Sequence, residues 1–254
     1  MKNLVKRIFP ASFAYAQSRK RVWDAYYRHG EYELRELPRY VARRSLAIDV
    51  GGNTGVYTYH LSRLAARVVT FEPNPDYVAQ IRALNLRNVT IEPAALSSVD
   101  GSAILRIPRF GTGAEDAGMA SLATTAFSDA VLARTIEVPV RRLDGFGFDD
   151  VGFIKIDVEG FEEAVLGGAR ETIARHRPVL LIEIEERHNR GGLARIAAGL
   201  AAQGYHGFFF DRGVRTPLDA FSGDLHQRID AIQEGAAHRR SVNYVNNFLF
   251  VPSP

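Results

Sequence analysis

The chain has 254 residues, 46% of them apolar and 24% charged, which suits one globular α/β domain with a modest extension. It has no cysteine, which excludes disulfides, thiolate nucleophiles and cysteine-held metals. The net charge of +3 is concentrated before residue 45. There Lys2, Lys6, Arg7, Arg19, Lys20, Arg21, Arg28, Arg35, Arg39, Arg43 and Arg44 outnumber the acids.

Residues 1–44 read as a basic helical extension separate from the core, packed by Val22, Trp23, Tyr26 and Tyr27. Such a leader also suits an anionic membrane or an acidic glycan, so peripheral membrane contact through it is left open. No apolar run approaches the roughly 20 residues of a membrane span. The start lacks the apolar stretch and small-residue cleavage site of a signal peptide, so the expected setting is cytoplasmic.

Residues 46–72 (LAIDVGGNTGVYTYHLSRLAARVVTFE) read as a buried strand, a glycine turn, a helix, a second strand and an acid. Gly51, Gly52 and Gly55 let the backbone turn sharply and approach a ligand. Val56, Tyr59, Leu61 and Leu64 fall on roughly one helical face. Glu72 closes the second strand, where a carboxylate accepts two hydrogen bonds from a ribose diol, and open α/β sheets bind ligands at such strand ends. The turn is not the G-x-G-x-x-G of a pyrophosphate site. With Asp49 beside it, it suits a cationic or zwitterionic ligand such as S-adenosylmethionine, which has a sulfonium, an amine and a ribose but no phosphate.

Further along, a helix is expected over 76–84 and strands over 88–92, 101–108 and 136–143. The segment 109–129, rich in Gly, Ala, Ser and Thr, is long for a plain loop and suggests a lid or substrate loop. A core strand over 151–158 leads into a helix over 161–176, ended by Arg177-Pro178. A strand over 179–185 and a helix over 193–203 follow. Two aromatic strands, 205–211 and 245–251, are expected to pair antiparallel at one sheet edge. Strands alternating with helices argue for a mostly parallel sheet covered on both faces.

The runs AIDVGGNTG (47–55), FEPNP (71–75), KIDVEGFEEAVLGGA (155–169) and RPVLLIEIE (177–185), with the terminal NNFLFV, resemble the FkbM-type S-adenosylmethionine-dependent methyltransferases. The similarity runs from about residue 45 to 251, and Lys-Ile-Asp-Val-Glu-Gly is its most distinctive part. The family commonly has alanine where this chain has Gly52. The resemblance implies a Rossmann-like class I methyltransferase fold with a reversed C-terminal strand, spanning residues 45–254. It also implies O-methylation of a hydroxyl on a sugar, glycan or polyketide-like small molecule.

On that reading Gly51, Asn53 and Gly55 wrap the methionine part of the cofactor. Asp49 orients the turn or receives the amino group, and Glu72 holds the ribose. Pro73 and Asn74 shape the adenosine edge, and Ala95, between Ala94 and Leu96, meets adenine. Lys155, Asp157 and Glu159 share one side of an extended strand if period-two alternation holds to its end. Asp157 is then the first choice for the base or hydroxyl orienter, with Lys155 pairing one of the acids, and Glu183 is the second.

A competing reading has Asp157, Glu159, Glu183 and His188 binding magnesium or manganese, but no spacing is diagnostic and no metal is expected. His188 by itself reads as a surface residue. No nucleophile elbow or phosphate loop of the G-x-x-x-x-G-K-[ST] type is present. No nucleic-acid partner is expected, since packing accounts for the leader's aromatic residues. Two other functions compete: a nicotinamide-dependent oxidoreductase, and a non-catalytic binding protein on the same fold.

Overall fold

All five residues of β1 (Leu46–Val50) are buried, as in a strand covered on both faces. The computed structural model describes residues 32–108, 133–228 and 244–253. In chain order these form α1 (Glu33–Tyr40), β1, α2 (Val56–Ser62), β2 (Arg67–Phe71), α3 (Pro75–Arg82), β3 (Val89–Glu92) and β4 (Ala95–Leu96). Then come β5 (Gly101–Pro108), β6 (Ala133–Arg141), a 3-10 turn (Leu143–Phe146), β7 (Val151–Ile156), α4 (Glu162–Gly167) and α5 (Arg170–His176). The last group is β8 (Val179–Glu183), α6 (Gly192–Ala201), β9 (Tyr205–Asp211), β10 (Val214–Pro217), a 3-10 turn (Leu218–Ala220), α7 (Gly223–His226) and β11 (Asn247–Pro252).

The main sheet runs β10-β9-β11-β8-β7-β1-β2-β3. Strands β8, β7, β1, β2 and β3 are mutually parallel, and β11 is antiparallel to both β8 and β9. This is the Rossmann-like class I methyltransferase arrangement with its reversed final strand. The chain leaves β1 toward β2 on one side and returns through β7 on the other. That reversal opens a crevice beyond the carboxyl ends of these strands.

Alternate residues of the sheet face two cores. One holds Ile48, Val50, Ile154, Ile156, Ile182, Phe248 and Phe250. The other holds Ala47, Val68, Phe153, Leu181, Phe208 and Leu249, with Leu34, Leu37 and Val41 around α1. Helix α1 therefore packs into the domain, unlike the separate extension expected over 1–44. Residues 1–31 lie outside the described residues, as does the expected lid or substrate loop at 109–129.

Several expectations are corrected. The aromatic strands pair antiparallel, but not at the edge. Strand β11 lies inside the sheet, because Phe248, Leu249 and Phe250 are apolar on both faces and need cover on both. The edge is β10, which was not anticipated. Helix α2 buries Tyr57, Thr58 and Leu61; of the expected Val56, Tyr59, Leu61 and Leu64 stripe, Val56 and Leu64 pack half-buried against the same core as Leu61, whereas Tyr59 is not part of it.

The single helix expected over 161–176 is two. At Gly168 a Cβ would stand 2.0 Å from the Ser97 carbonyl oxygen, so the crossing loop demands glycine and the helix breaks there. Asp144 restarts it as α5, accepting from the amides of Glu171 (3.1 Å) and Thr172 (2.9 Å) and from the Thr172 hydroxyl (2.8 Å). Strands β5 and β6 do not join the main sheet. With β4 they form a second, three-stranded sheet whose inner face carries Leu105, Ile107 and Val138.

Candidate functional site

The turn after β1 is tied to the end of β2. The amides of Gly51 and Gly52 both donate to the Phe71 carbonyl, at 2.9 and 3.1 Å. Gly51 has φ +83°, and a Cβ there would stand 1.9 Å from the Asp157 carbonyl oxygen. The turn thus fits only because a glycine lets the end of β7 come this close. At Gly52 a Cβ would meet Thr70 Cγ2 at 2.3 Å, so an alanine here would require the Thr70 side chain to shift.

Glu72 is 5% exposed and clamps both sides of the turn. One carboxylate oxygen accepts from the Asn53 amide and the other from the Asn74 amide, each at 2.7 Å. Burial pushes its pKa up to about 7, opposed by those two amides. Each oxygen keeps a second lone pair for a ligand hydroxyl. Asn74 is buried and caps α3, its Oδ1 accepting from the Asp76 amide at 3.0 Å.

Asp49 lies beneath the turn. It accepts from Thr58 Oγ1 at 2.6 Å, and Thr58 in turn accepts from Thr70 Oγ1 at 3.1 Å. Burial raises its pKa to about 6. Of its two expected roles, this placement favours orienting the turn through α2 over meeting a ligand.

A cavity of about 260 Å³ opens above these residues. Of the residues singled out from sequence, Gly51, Asn53, Glu72, Pro73, Ala95, Asp157, Glu159 and Glu183 line it. Asp49, Gly55, Asn74 and Lys155 do not, and support it from behind. Its apolar wall is Phe71, Tyr77, Ala94, Ala95, Leu96 and Leu105, the last three from the second sheet. Sequence reasoning did not find Tyr77, Leu105 or Phe161, because their positions depend on how α3, the second sheet and the 157–161 turn close over the strand ends.

The acidic wall differs from the expected row on one strand face. Strand β7 ends at Ile156, and Glu159 has φ +49°, so the chain has already turned away. Glu159 meets His188, with Oε2 3.0 Å from Nε2. His188 is an exposed residue, as expected, but its ring reaches the edge of the site. Burial first, then the charges of Asp157 and Glu185, raise the Glu159 pKa to about 8, while burial lowers that of His188.

Lys155 is fully buried. Its ammonium donates to Asn247 Oδ1 at 3.0 Å and lies 3.8 Å from Asp157 Oδ2 and 3.7 Å from Glu183 Oε2. One cation thus sits behind two cavity acids, where pairing with only one was expected. Glu183 also accepts from Asn246 Nδ2 at 2.5 Å. Burial, and then the charge of Asp157, push the Glu183 pKa up. Among the described residues, no group of three or more histidine or carboxylate side chains is arranged to hold a metal ion.

A family model described as "Methyltransferase FkbM domain" matches residues 49–237. The chain belongs to the FkbM methyltransferase family. Methyl transfer is the chemistry of that family, and the fold is that of its class. No curated protein matches the sequence significantly.

Among solved structures, the FkbM methyltransferase of Methylobacillus flagellatus KT is 16% identical with a TM-score of 0.48. That match covers 82% of this chain but only 43% of the other, so this chain spans less than half of that protein's length. A Streptococcus mutans protein in complex with SAH is 12% identical with a TM-score of 0.47, covering 88% of this chain and 97% of the other. A SAM-dependent methyltransferase from Aquifex aeolicus is 11% identical with a TM-score of 0.41, covering 87% and 88%.

Proposed function

We propose that the protein is an S-adenosylmethionine-dependent O-methyltransferase acting on a hydroxyl of a sugar, glycan or polyketide-like small molecule. The observation that carries this reading is the chemistry of the cavity, where carboxyl groups of Glu72, Asp157, Glu159 and Glu183 face an apolar wall. The carboxyl groups accept hydrogen bonds from a ribose diol, an ammonium and hydroxyls, while the apolar wall suits a flat ring. This acidic side disfavours the pyrophosphate that a nicotinamide dinucleotide would bring. S-adenosylmethionine fits this donor set, and when bound it supplies an electrophilic methyl on a sulfonium.

Glu72 holds the ribose hydroxyls through its remaining lone pairs. Gly51 and Asn53 take the methionine part, with Asp49 and Gly55 fixing the turn that presents them. Pro73 and Asn74 shape the adenosine edge, and Ala95 meets adenine. Asp157 orients the acceptor hydroxyl and takes its proton, with Glu183 as second choice. Lys155 holds both carboxyl groups in place. Alignment of acceptor and methyl provides most of the rate, since the leaving group is already activated. No metal is needed in this scheme. The proposed setting is cytoplasmic, with which a cysteine-free chain is compatible.

Calorimetric titration with S-adenosylhomocysteine, and in parallel with NADH, tests the reading. Micromolar binding of S-adenosylhomocysteine alone, followed by methyl uptake into hydroxylated acceptors, is the expected result. Preference for NADH would overturn it in favour of an oxidoreductase. Cofactor binding without methyl uptake into any hydroxylated acceptor would leave a binding protein.

A further inference from the structure

A chain of side-chain hydrogen bonds runs from Lys155 through the start of β11 to a cavity acid. Lys155 can only donate, so the Asn247 amide must turn its oxygen to it, at 3.0 Å. Asn247 Nδ2 then donates to Asn246 Oδ1 at 3.1 Å. That in turn aims Asn246 Nδ2 at the acids, where its two hydrogens serve Glu183 Oε1 at 2.5 Å and Glu185 Oε1 at 3.3 Å. One buried cation thus dictates the orientation of both amides, and reversing either would set donor against donor. The backbone holds the pair in place. The Ile184 amide donates to the Asn246 carbonyl at 2.7 Å, and Gln227 Nε2 donates to the carbonyls of Ile184 and Val245, at 2.7 and 2.9 Å.

The two oxygens of Glu183 are therefore not equivalent. A carboxylic acid accepts best through its carbonyl oxygen and carries its proton on the other. With a fixed donor on Oε1, a proton held by Glu183 belongs on Oε2. That oxygen lies 3.7 Å from Lys155 Nζ, and Asp157 Oδ2 stands 3.8 Å from the same nitrogen. Burial and the charge of Asp157 favour the protonated form of Glu183, and a hydrogen bond between the two acids adds to this. The other charges around Glu183 are those of Glu159, from the turn after β7, and Glu185, beyond β8. Glu185 is already engaged. Arg187, the Tyr244 hydroxyl at 3.0 Å and His188 Nε2 at 3.9 Å all meet its Oε2, which leaves its Oε1 to Asn246.

We infer that Asn246 is a positioning residue: it keeps Glu183 Oε1 as an acceptor, turns the Glu183 hydroxyl toward Asp157, and so leaves Asp157 as the group that takes the proton of the methyl acceptor. Its last step rests on the methyltransferase reading above. There the acceptor oxygen bonds to the methyl, the methyl–sulfur bond breaks with its electron pair going to sulfur, and the hydroxyl proton passes to Asp157. The test is infrared spectroscopy of the full chain at mildly acidic pH, reading the carbonyl bands of protonated carboxyl groups. The wild type should show one such band that Glu183→Gln removes. Asn246→Ala should move that band to higher frequency, because the carbonyl oxygen loses its donor. Asp157→Ala should move it the same way, because the hydroxyl loses its acceptor. Tyr244→Phe, which takes a hydroxyl from Glu185 and not from Glu183, should leave it in place. Asn246→Leu, closer to asparagine in volume, gives the same reading should the alanine variant fold poorly. A band unmoved in both Asn246 variants, or in Asp157→Ala, would overturn the inference, as would the lack of any band that Glu183→Gln removes. Titration of the wild type with S-adenosylhomocysteine keeps the two readings apart: no binding would sink the methyltransferase reading, while the band shifts report the placing of the Glu183 proton independently of it.

Discussion

The Lys155 ammonium donates to the Asn247 side-chain oxygen at 3.0 Å, joining the carboxyl end of β7 to the first residue of the reversed strand β11. Asn247 is also paired in register with Glu183. The reversed strand thus fixes the cation that stands behind both cavity acids. Removing the cation leaves Asp157 and Glu183 as like charges with no compensation. Lys155→Met should lower stability by about 3–5 kcal/mol, and Asn247→Leu by about 1–3 kcal/mol. Urea denaturation of the two variants measures both. If Lys155→Met matched the wild type, the buried cation would not be holding the acids.

Glu72 carries a pH dependence whose sign follows from burial. Its pKa is about 7 in the folded chain against an ordinary 4.5. Between those values the folded protein holds a proton that the unfolded chain has released. Its contribution is complete below about pH 4.5 and is lost as pH rises through 7, amounting to roughly 3 kcal/mol at most. Glu159, at about 8, and Asp49, at about 6, act in the same direction. The ligand-free protein should therefore melt at lower temperature as pH rises from 4.5 to 8. In Glu72→Gln the fall between 4.5 and 7 should become shallower, leaving the part due to Asp49 and Glu159, and thermal melts at a series of pH values compare the two slopes.

The same carboxylate is assigned to the ribose. Glu72→Ala should weaken S-adenosylhomocysteine binding by about 1–3 kcal/mol, the usual effect of losing a charged hydrogen-bond partner. Part of that loss comes through the turn, which Glu72 holds by the Asn53 amide. Calorimetry at constant pH reads the change, and an unaltered affinity would remove Glu72 from the ribose site.

Gly51→Ala would place a methyl 1.9 Å from the Asp157 carbonyl oxygen at φ +83°. Steric overlap and left-handed strain act together here, and stability should fall by at least about 2 kcal/mol. Because the displaced backbone carries Asp157, S-adenosylhomocysteine affinity should fall with it. A variant of wild-type stability and affinity would mean that the end of β7 yields without cost.

Asp157→Asn keeps the shape of the cavity wall and removes the proton acceptor. Cofactor affinity should stay within about twofold, while turnover falls by about 10²–10⁴-fold, the usual contribution of a general base. Full activity would pass the role to Glu183, and Glu183→Gln would then be the variant that fails.

The unit from β1 through the glycine turn and α2 to Glu72 was legible because each part is local. An apolar run, glycines where φ is positive and an acid at a strand end lie within 27 consecutive residues. The parallel sheet and its reversed strand followed from the same alternation and from the family resemblance. The pairs that complete the site were not legible. Thr58 beneath Asp49, His188 against Glu159 and Asn247 on Lys155 join residues 9, 29 and 92 positions apart. No periodicity relates such positions, since only the stacking of helices and strands decides which side chains meet. The same is true of the break at Gly168 and of β11's place inside the sheet. Both are settled by what packs beside them: a crossing loop in one case, and in the other the strands β8 and β9, hydrogen-bonded along the two edges of an aromatic run. Sequence by itself determined which residues could do the chemistry, through their type and local spacing. Tertiary packing decided which of them share the cavity, which support it from behind and which carboxyl groups hold their protons, because burial and long-range contact are properties of the folded chain alone.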